Sequence, residues 1–195
     1  MFEKIFIVDC TFLNPYKMTT IDDRNLATQA VAINGDALMK CSIALKNDKQ
    51  LVLLAVTTSV DALLWASPQL KEDKDVLLQA CTHFGRAIRY TQQLRSDKDV
   101  VIAAVTNDGN ALQHVPTASG FKDNIDIVKI AISNQPLSLQ YASENCRNNI
   151  DLLLIAAKLN PKVLVVTTKD SVRTIVEQRL KQSSNYTTSN SSYGR

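Results

Sequence analysis

Glycine and proline are scarce, five of each in 195 residues. A fold of many tight β-hairpins draws on both, so their scarcity, beside abundant Ala, Leu, Val and Ile, argues for an all-α chain. Neither charge sign is in excess: 22 Lys and Arg against 19 Asp and Glu leave +3, too little for electrostatics alone to imply a polyanionic partner. Long apolar runs are missing. No window approaches the roughly 18 apolar residues of a membrane span, and the run Ile5 to Val8 is too short for a signal-peptide core. Cys10, Cys41, Cys81 and Cys146 form no C-x-x-C pair, so a zinc knuckle or disulfide scaffold is not indicated and buried free thiols are expected. The expected setting is cytoplasmic and reducing, away from membranes.

Catalytic chemistry is equally thin. His83 and His114 are the only histidines, and no local motif places a nucleophile or metal partner against either. There is no phosphate-cradling Gly loop and no H-E-x-x-H. The expectation is a protein that is not an enzyme, with no cofactor and no metal.

What the chain does have is a period. Segments of about 25 residues beginning at Asp23, Asp48, Asp73, Asp97, Asn124 and Asn149 align as six copies over residues 23 to 169. Seven residues into each stands an alanine: Ala30, Ala55, Ala80, Ala104, Ala131 and Ala156. A small residue held so strictly marks a place where two backbones approach closely. An aliphatic residue comes four before it (Leu26, Leu51, Val76, Val100, Ile127, Leu152) and a small or branched apolar residue one after it. That spacing is one helical face.

Twelve residues in, Gly35, Val60, Gly85, Gly109, Pro136 or Pro161 punctuates the end of a first helix of about ten residues and serves the turn to a second, shorter one. Asn47, Ser96, Asp123 and Asn148, just before new copies, read as N-caps, and Asp75, Asp99, Asp126 and Asp151 fall in first turns, where the helix dipole favours them. Each copy is thus a helical hairpin too small to be stable alone, and the array is the folding unit. An insertion, Pro116 to Lys122, is placed to bend the stack between copies four and five. The expected architecture is a solenoid-like stack of about six hairpins with both ends capped. Residues 1–22 form the N-terminal cap and 170–182 a capping helix with Val172, Ile175, Val176 and Leu180 on one face, while the Ser, Thr and Asn-rich residues 183–195 form a disordered tail.

Seventeen residues into the copies stand Lys40, Trp65, Tyr90, His114, Tyr141 and Val166. A ladder of large, partly polar side chains suits either a binding stripe or packing between copies. Arg86 and Arg89 beside Tyr90 make copy three locally basic and aromatic, which suits an acidic protein surface. Trp65, Arg86, Arg89, Tyr90, His114 and Tyr141 are therefore the candidate partner-binding residues. The partner expected is a protein, and a homodimer is left open. A second reading, helical repeats stacking nucleic-acid bases on the aromatic column, is weakened by the near-neutral charge and by Asp73, Asp75, Asp97 and Asp99 on the same copies.

The segments "DKQLVLLAVTTSVDALLWAS", "DKDVVIAAVTNDGNALQHV" and "IDIVKIAISNQPLSLQYAS" resemble the helical repeat known as domain of unknown function 4116, found in protist proteins and in effectors of Legionella-type bacteria. The resemblance covers about three quarters of the chain and implies a fold more than a chemistry. Copies five and six depart from it by opening on Asn and placing Pro at the turn. More narrowly, the chain resembles small effectors that inhibit ubiquitin-deamidating and transglutaminating effector enzymes. That resemblance implies those enzymes as partners, inhibition by blocking substrate access, and delivery into host cytosol by a signal-peptide-independent route.

Overall fold

The computed structural model of the protein describes residues 20–166 and 169–190. Of the expected N-terminal cap, only Thr20, Ile21 and Asp22 lie among them, and Cys10 lies outside. Six helices of ten residues each recur at the repeat period: α1 Arg24–Ile33, α2 Lys49–Thr58, α3 Lys74–His83, α4 Lys98–Asn107, α5 Ile125–Asn134 and α6 Ile150–Leu159. A longer helix, α7, spans Asp170–Asn190. The described residues contain no β-strand, only an isolated bridge between Ile21 and Cys41.

The N-caps stand one residue later than expected. The leading residue of each copy caps its own helix: Asp48 Oδ1 accepts from the N–H groups of Gln50 and Leu51, Asp73 from Asp75 and Val76, Asp97 from Asp99 and Val100, and Asn124 and Asn149 do likewise. An Asx side chain at this point satisfies N–H groups that have no partner within the helix. Each long helix ends when its C-cap residue (Asn34, Ser59, Phe84, Asp108, Gln135, Asn160) turns extended while its N–H still reaches the carbonyl of the repeated alanine.

The second helix is shorter, as expected, but in five copies it is a six-residue 3-10 helix: Gly35–Lys40, Gly85–Tyr90, Gly109–His114, Pro136–Tyr141 and Pro161–Val166. In copy two it is one α-turn, Ala62–Trp65. A third element closes most copies, a single turn such as Ile43–Lys46, Pro68–Lys71 or Glu144–Arg147. Each of these copies is therefore a three-part coil, and the coils stack so that successive ten-residue helices pack side by side and successive second helices form a parallel layer. The insertion is taken up by two 3-10 turns, Thr117–Ser119 and Phe121–Asp123, joined at Gly120 with φ 75°, and α4 and α5 remain packed.

The alanine column sits in the core: Ala55, Ala80, Ala104, Ala131 and Ala156 are buried completely, and Ala30, on the first copy, is half-buried. The close approach it signals is real, and its partner is a glycine. A Cβ on Gly35, Gly85 or Gly109 would lie 2.1, 2.3 or 2.3 Å from the carbonyl oxygen of Ala55, Ala104 or Ala131 in the following copy. None of these three glycines has positive φ. They are glycine for space between copies, a correction to their expected role as turn formers. Val60, which carries a Cβ in this column, stands in the copy whose second helix starts late, at Ala62.

Side chains latch the copies together. Asn107 Oδ1 accepts from the Gly85 N–H at 2.7 Å while its Nδ2 donates to the Thr82 carbonyl; Asn134 does the same to Gly109 and Thr106. At the next interface the glycine position is Pro136, which has no N–H to offer, and the position across from it is Leu159. The first three interfaces also carry ion pairs, Arg24 to Asp48, Lys49 to Asp73 and Asp75, and Lys74 to Asp97 and Asp99, all within 2.9 Å. The hydrogen bond from Arg24 holds the Asp48 carboxyl below its usual range, and Lys74 does so for Asp97. For Asp73, burial pushes the other way but the Lys49 hydrogen bond and the helix N–H groups prevail. A carboxyl with a depressed folded pKa contributes stability that is complete above its ordinary value, near pH 4, and is lost as pH falls through the folded value. The melting temperature should therefore drop below about pH 4, and Asp48→Asn with Asp97→Asn should flatten that acid limb, as thermal melts across pH would show.

Helix α7 packs against α6 of the last copy. Val176 is buried, Val172 and Leu180 pack against the core, and Arg173 Nε donates to the Leu164 carbonyl at 3.0 Å. The helix runs on through Ser183 to Asn190, so the expected boundary at Gln182 is not a helix end. Residues 191–195 of the expected tail lie outside the described residues.

One core position departs from its column. Where the other copies place Ala37, Ala62, Ala87, Ala111 and Val163, copy five has Ser138, wholly buried with a hydroxyl that finds no partner among the described residues. Ser138→Ala removes that orphan group without altering the packing, and it should stabilise the protein by about 1 kcal/mol, read as a rise in the urea midpoint.

Candidate interaction surface

The second helices expose a regular pattern. With three residues per turn, the first and fourth positions of a 3-10 helix lie one above the other; here they face the core, as Gly85 and Ile88 or Gly109 and Leu112 do. The second and fifth positions face out, and Arg86 and Arg89 occupy them in copy three. The candidate column is the last residue of each second helix. In it Lys40 is exposed, Trp65 is 38% exposed, and Tyr90, His114 and Tyr141 are half-buried.

Two of the six candidates, Arg89 and Tyr90, come together at copy three, and Asp61 of copy two joins them. The Tyr90 hydroxyl donates to Asp61 Oδ1 on copy two at 2.5 Å, Arg89 Nη2 donates to the same hydroxyl, and the Arg89 guanidinium carbon lies 4.6 Å from the Tyr90 ring centre. Arg89 also stands 3.6 Å from Asp61. Burial, and then the hydrogen bond to Asp61, raises the Tyr90 phenol above its ordinary value. Tyr90 is thus a bracket between copies that also holds an exposed guanidinium in place. Arg95 fixes the same spot from the other side, donating to the carbonyls of Ile88 and Arg89.

His114, one copy on, is held below its usual range first by burial and then by the charges of Arg95 and Arg89, with Lys122 adding to them and Asp108 opposing. The positive charge of this edge belongs to Arg86, Arg89, Arg95 and Lys122. Tyr141 continues the layer on copy five, beyond the insertion. Asp61, Arg95 and Lys122 were not among the sequence candidates. Asp61 does occupy the same outward column as Arg86, which an aligned reading of that column would have exposed.

The three cysteines among the described residues are sequestered. Cys81 is fully buried and its thiol is pushed up to about 12, and burial also raises Cys41 and Cys146. These three are core residues, as their columns imply. His83 is exposed, with its ring 6.4 Å from that of Phe84. No helix among the described residues is long and apolar enough to cross a membrane.

No curated protein and no solved structure matches the chain. A family model described as a domain of unknown function, DUF4116, matches three stretches, residues 23–71, 73–118 and 124–169. Each stretch takes in two of the 25-residue copies, so the family's unit is a pair of coils, and the last five residues of the 116–123 turn region fall between the second and third units.

Proposed function

The chain belongs to the DUF4116 family, and we propose that it is a non-catalytic protein-binding module whose second-helix layer docks an acidic face of a partner. The observation that carries this reading is the cationic edge of copies three and four, where Arg86 is exposed and Arg89 is fixed over Tyr90. Arginine and tyrosine are strong interface anchors, and a guanidinium already held in place loses less freedom on binding. The narrower reading follows the effector resemblance: the partner is a ubiquitin-deamidating or transglutaminating enzyme, delivered to the same host cytosol, and the module inhibits it by covering the substrate-docking region. About 800 Å² per partner suffices for a specific complex.

The purified chain, titrated into such a deamidase, should suppress turnover as the two reach equal amounts. Arg86→Glu with Arg89→Glu should weaken inhibition at least tenfold, which is about 1.4 kcal/mol, with the melting temperature near the parent's because the Arg89 to Asp61 pair is exposed. Full inhibition by the folded double variant would move the site off copy three. Failure of the parent to bind any such enzyme would remove the enzyme reading. Nucleic-acid stacking is the competing outcome, and a salt titration with single-stranded RNA tests it. The Tyr90 face covered by Arg89 is poorly placed for a base.

A further inference from the structure

A second feature lies beyond the arginine edge, between copies one and two. A groove of about 460 Å³ has Ile43, Ala44, Trp65, Ala66 and Pro68 as its apolar lining, with the neutral polar Asn47, Ser67 and Gln69 beside them and Lys46 as its one charged lining residue. Ile43 is 86% exposed, an unusual state for a large aliphatic side chain beside an exposed tryptophan. Leu64 and Met39, both outward-facing and about two-fifths exposed or more, extend the apolar strip along the same layer.

The charges around this strip are one-sided. Lys40 and Lys46 make no ion pair among the described residues, and the Lys71 ammonium is anchored on the Leu64 carbonyl at 2.8 Å, also without a carboxylate. The carboxylates of the same two copies have partners elsewhere: Asp23 caps its own helix at Leu26, Asp36 accepts from the Ser59 hydroxyl, Asp48 pairs with Arg24, Asp61 accepts from Tyr90, and Glu72 binds Thr91 and the N–H groups of Gln92 and Gln93. The Trp65 indole N–H makes no hydrogen bond among the described residues and is available to a carboxylate acceptor.

We propose that this groove is a peptide-docking site for a partner segment that pairs bulky apolar side chains with flanking carboxylates, the apolar residues seated between Ile43, Trp65 and Pro68 and the acids over Lys40, Lys46 and Lys71. The proposal rests on the reading of the protein as a binding module and adds a second, separable point of attachment. Apolar anchors set into a groove with a charged rim are the arrangement in which a short segment binds with specificity.

Trp65 is the only tryptophan, so its emission reports on the groove directly. Titrating the full chain with a short synthetic peptide of leucine and phenylalanine flanked by glutamates should give a saturable blue shift. Ile43→Ser and Lys46→Glu, both surface changes, should each raise the half-saturating concentration at least tenfold, and the Arg86→Glu, Arg89→Glu variant should leave it unchanged. No shift, or an equal shift with lysine-flanked or wholly polar acidic peptides, overturns the proposal. So does a blue shift that grows with protein concentration alone, which would assign the groove to a second copy, or a response that emerges only when residues 1–19 are removed, which would assign it to the chain's own N-terminal segment. Deamidase inhibition without a peptide response sinks the groove and keeps the arginine edge. A peptide response without any deamidase bound does the reverse.

Discussion

Gly85→Ala should destabilise the protein by about 3 kcal/mol, the upper end of ordinary overpacking, and lower its melting temperature by roughly 10 °C for a chain of this size. One methyl group has this effect because of where it lands. It would stand 2.3 Å from the Ala104 carbonyl oxygen and 2.7 Å from both the backbone nitrogen and the Cβ of Asp108. A backbone carbonyl cannot swing aside as a long side chain can, so α4 must move away from the second helix of copy three. Conformational preference has no part in the effect, because Gly85 lies outside the positive-φ region. Gly120→Ala is the matched control: its φ is 75° and nothing lies within 4 Å of the added carbon, so it carries only the left-handed penalty of roughly 1 to 2 kcal/mol. Thermal melts of the two variants separate space from backbone strain. A Gly85→Ala protein melting with the parent would mean that the copies do not approach as described.

Ala104→Leu attacks the same contact from the other side and should cost about 3 kcal/mol. Ala104 is completely buried on α4, which packs against both α3 and α5, and the larger side chain has no solvent to escape into. In a linear array stability is shared between neighbours, so hydrogen exchange should quicken in copies three and five as well as in copy four. The equivalent change at Ala30, half-buried on the first copy, should cost well under half as much. Equal losses at the two sites, measured by urea unfolding, would contradict the placement of the alanine column between copies.

The long helices were legible because ten residues suffice to display a helical face: Leu51, Ala55 and Val56, and their counterparts, recur at a spacing only a helix brings together. The second elements were legible as short helices but not as 3-10 helices, since six residues hold barely two turns of either kind. The caps slipped by one residue because adjacent positions, such as Asn47 with Asp48 or Asn148 with Asn149, are equally good capping types. What selects the second is the geometry of the N–H groups two and three residues on. Glycine hid its role because a turn and a close approach leave the same letter in the sequence. At the candidate surface, Arg86, Arg89 and Tyr90 announced themselves by composition. Asp61 lies 29 residues from Tyr90, and Arg95 sits on the short closing turn of copy three, Leu94–Ser96, so their parts in the cluster become visible only once the coils are stacked.

The latches between coils give the array an address system. Asn107 and Asn134 each present an amide matched to a glycine N–H in the coil before, while Leu159 follows a proline that needs no acceptor. Arg24, Lys49 and Lys74 each reach a carboxylate at the head of the next coil, but the coils headed by Asn124 and Asn149 open on Ile125 and Ile150, with no cation to pass forward. The coils are consequently not interchangeable building blocks. Moving the sixth behind the third would set a leucine against the Gly85 N–H and leave Lys74 with one carboxylate, Asp151, in place of two. A gene that lengthened this protein by duplication would preserve its joints only by copying neighbouring coils together, and the two-coil span of the family's unit fits such an inheritance.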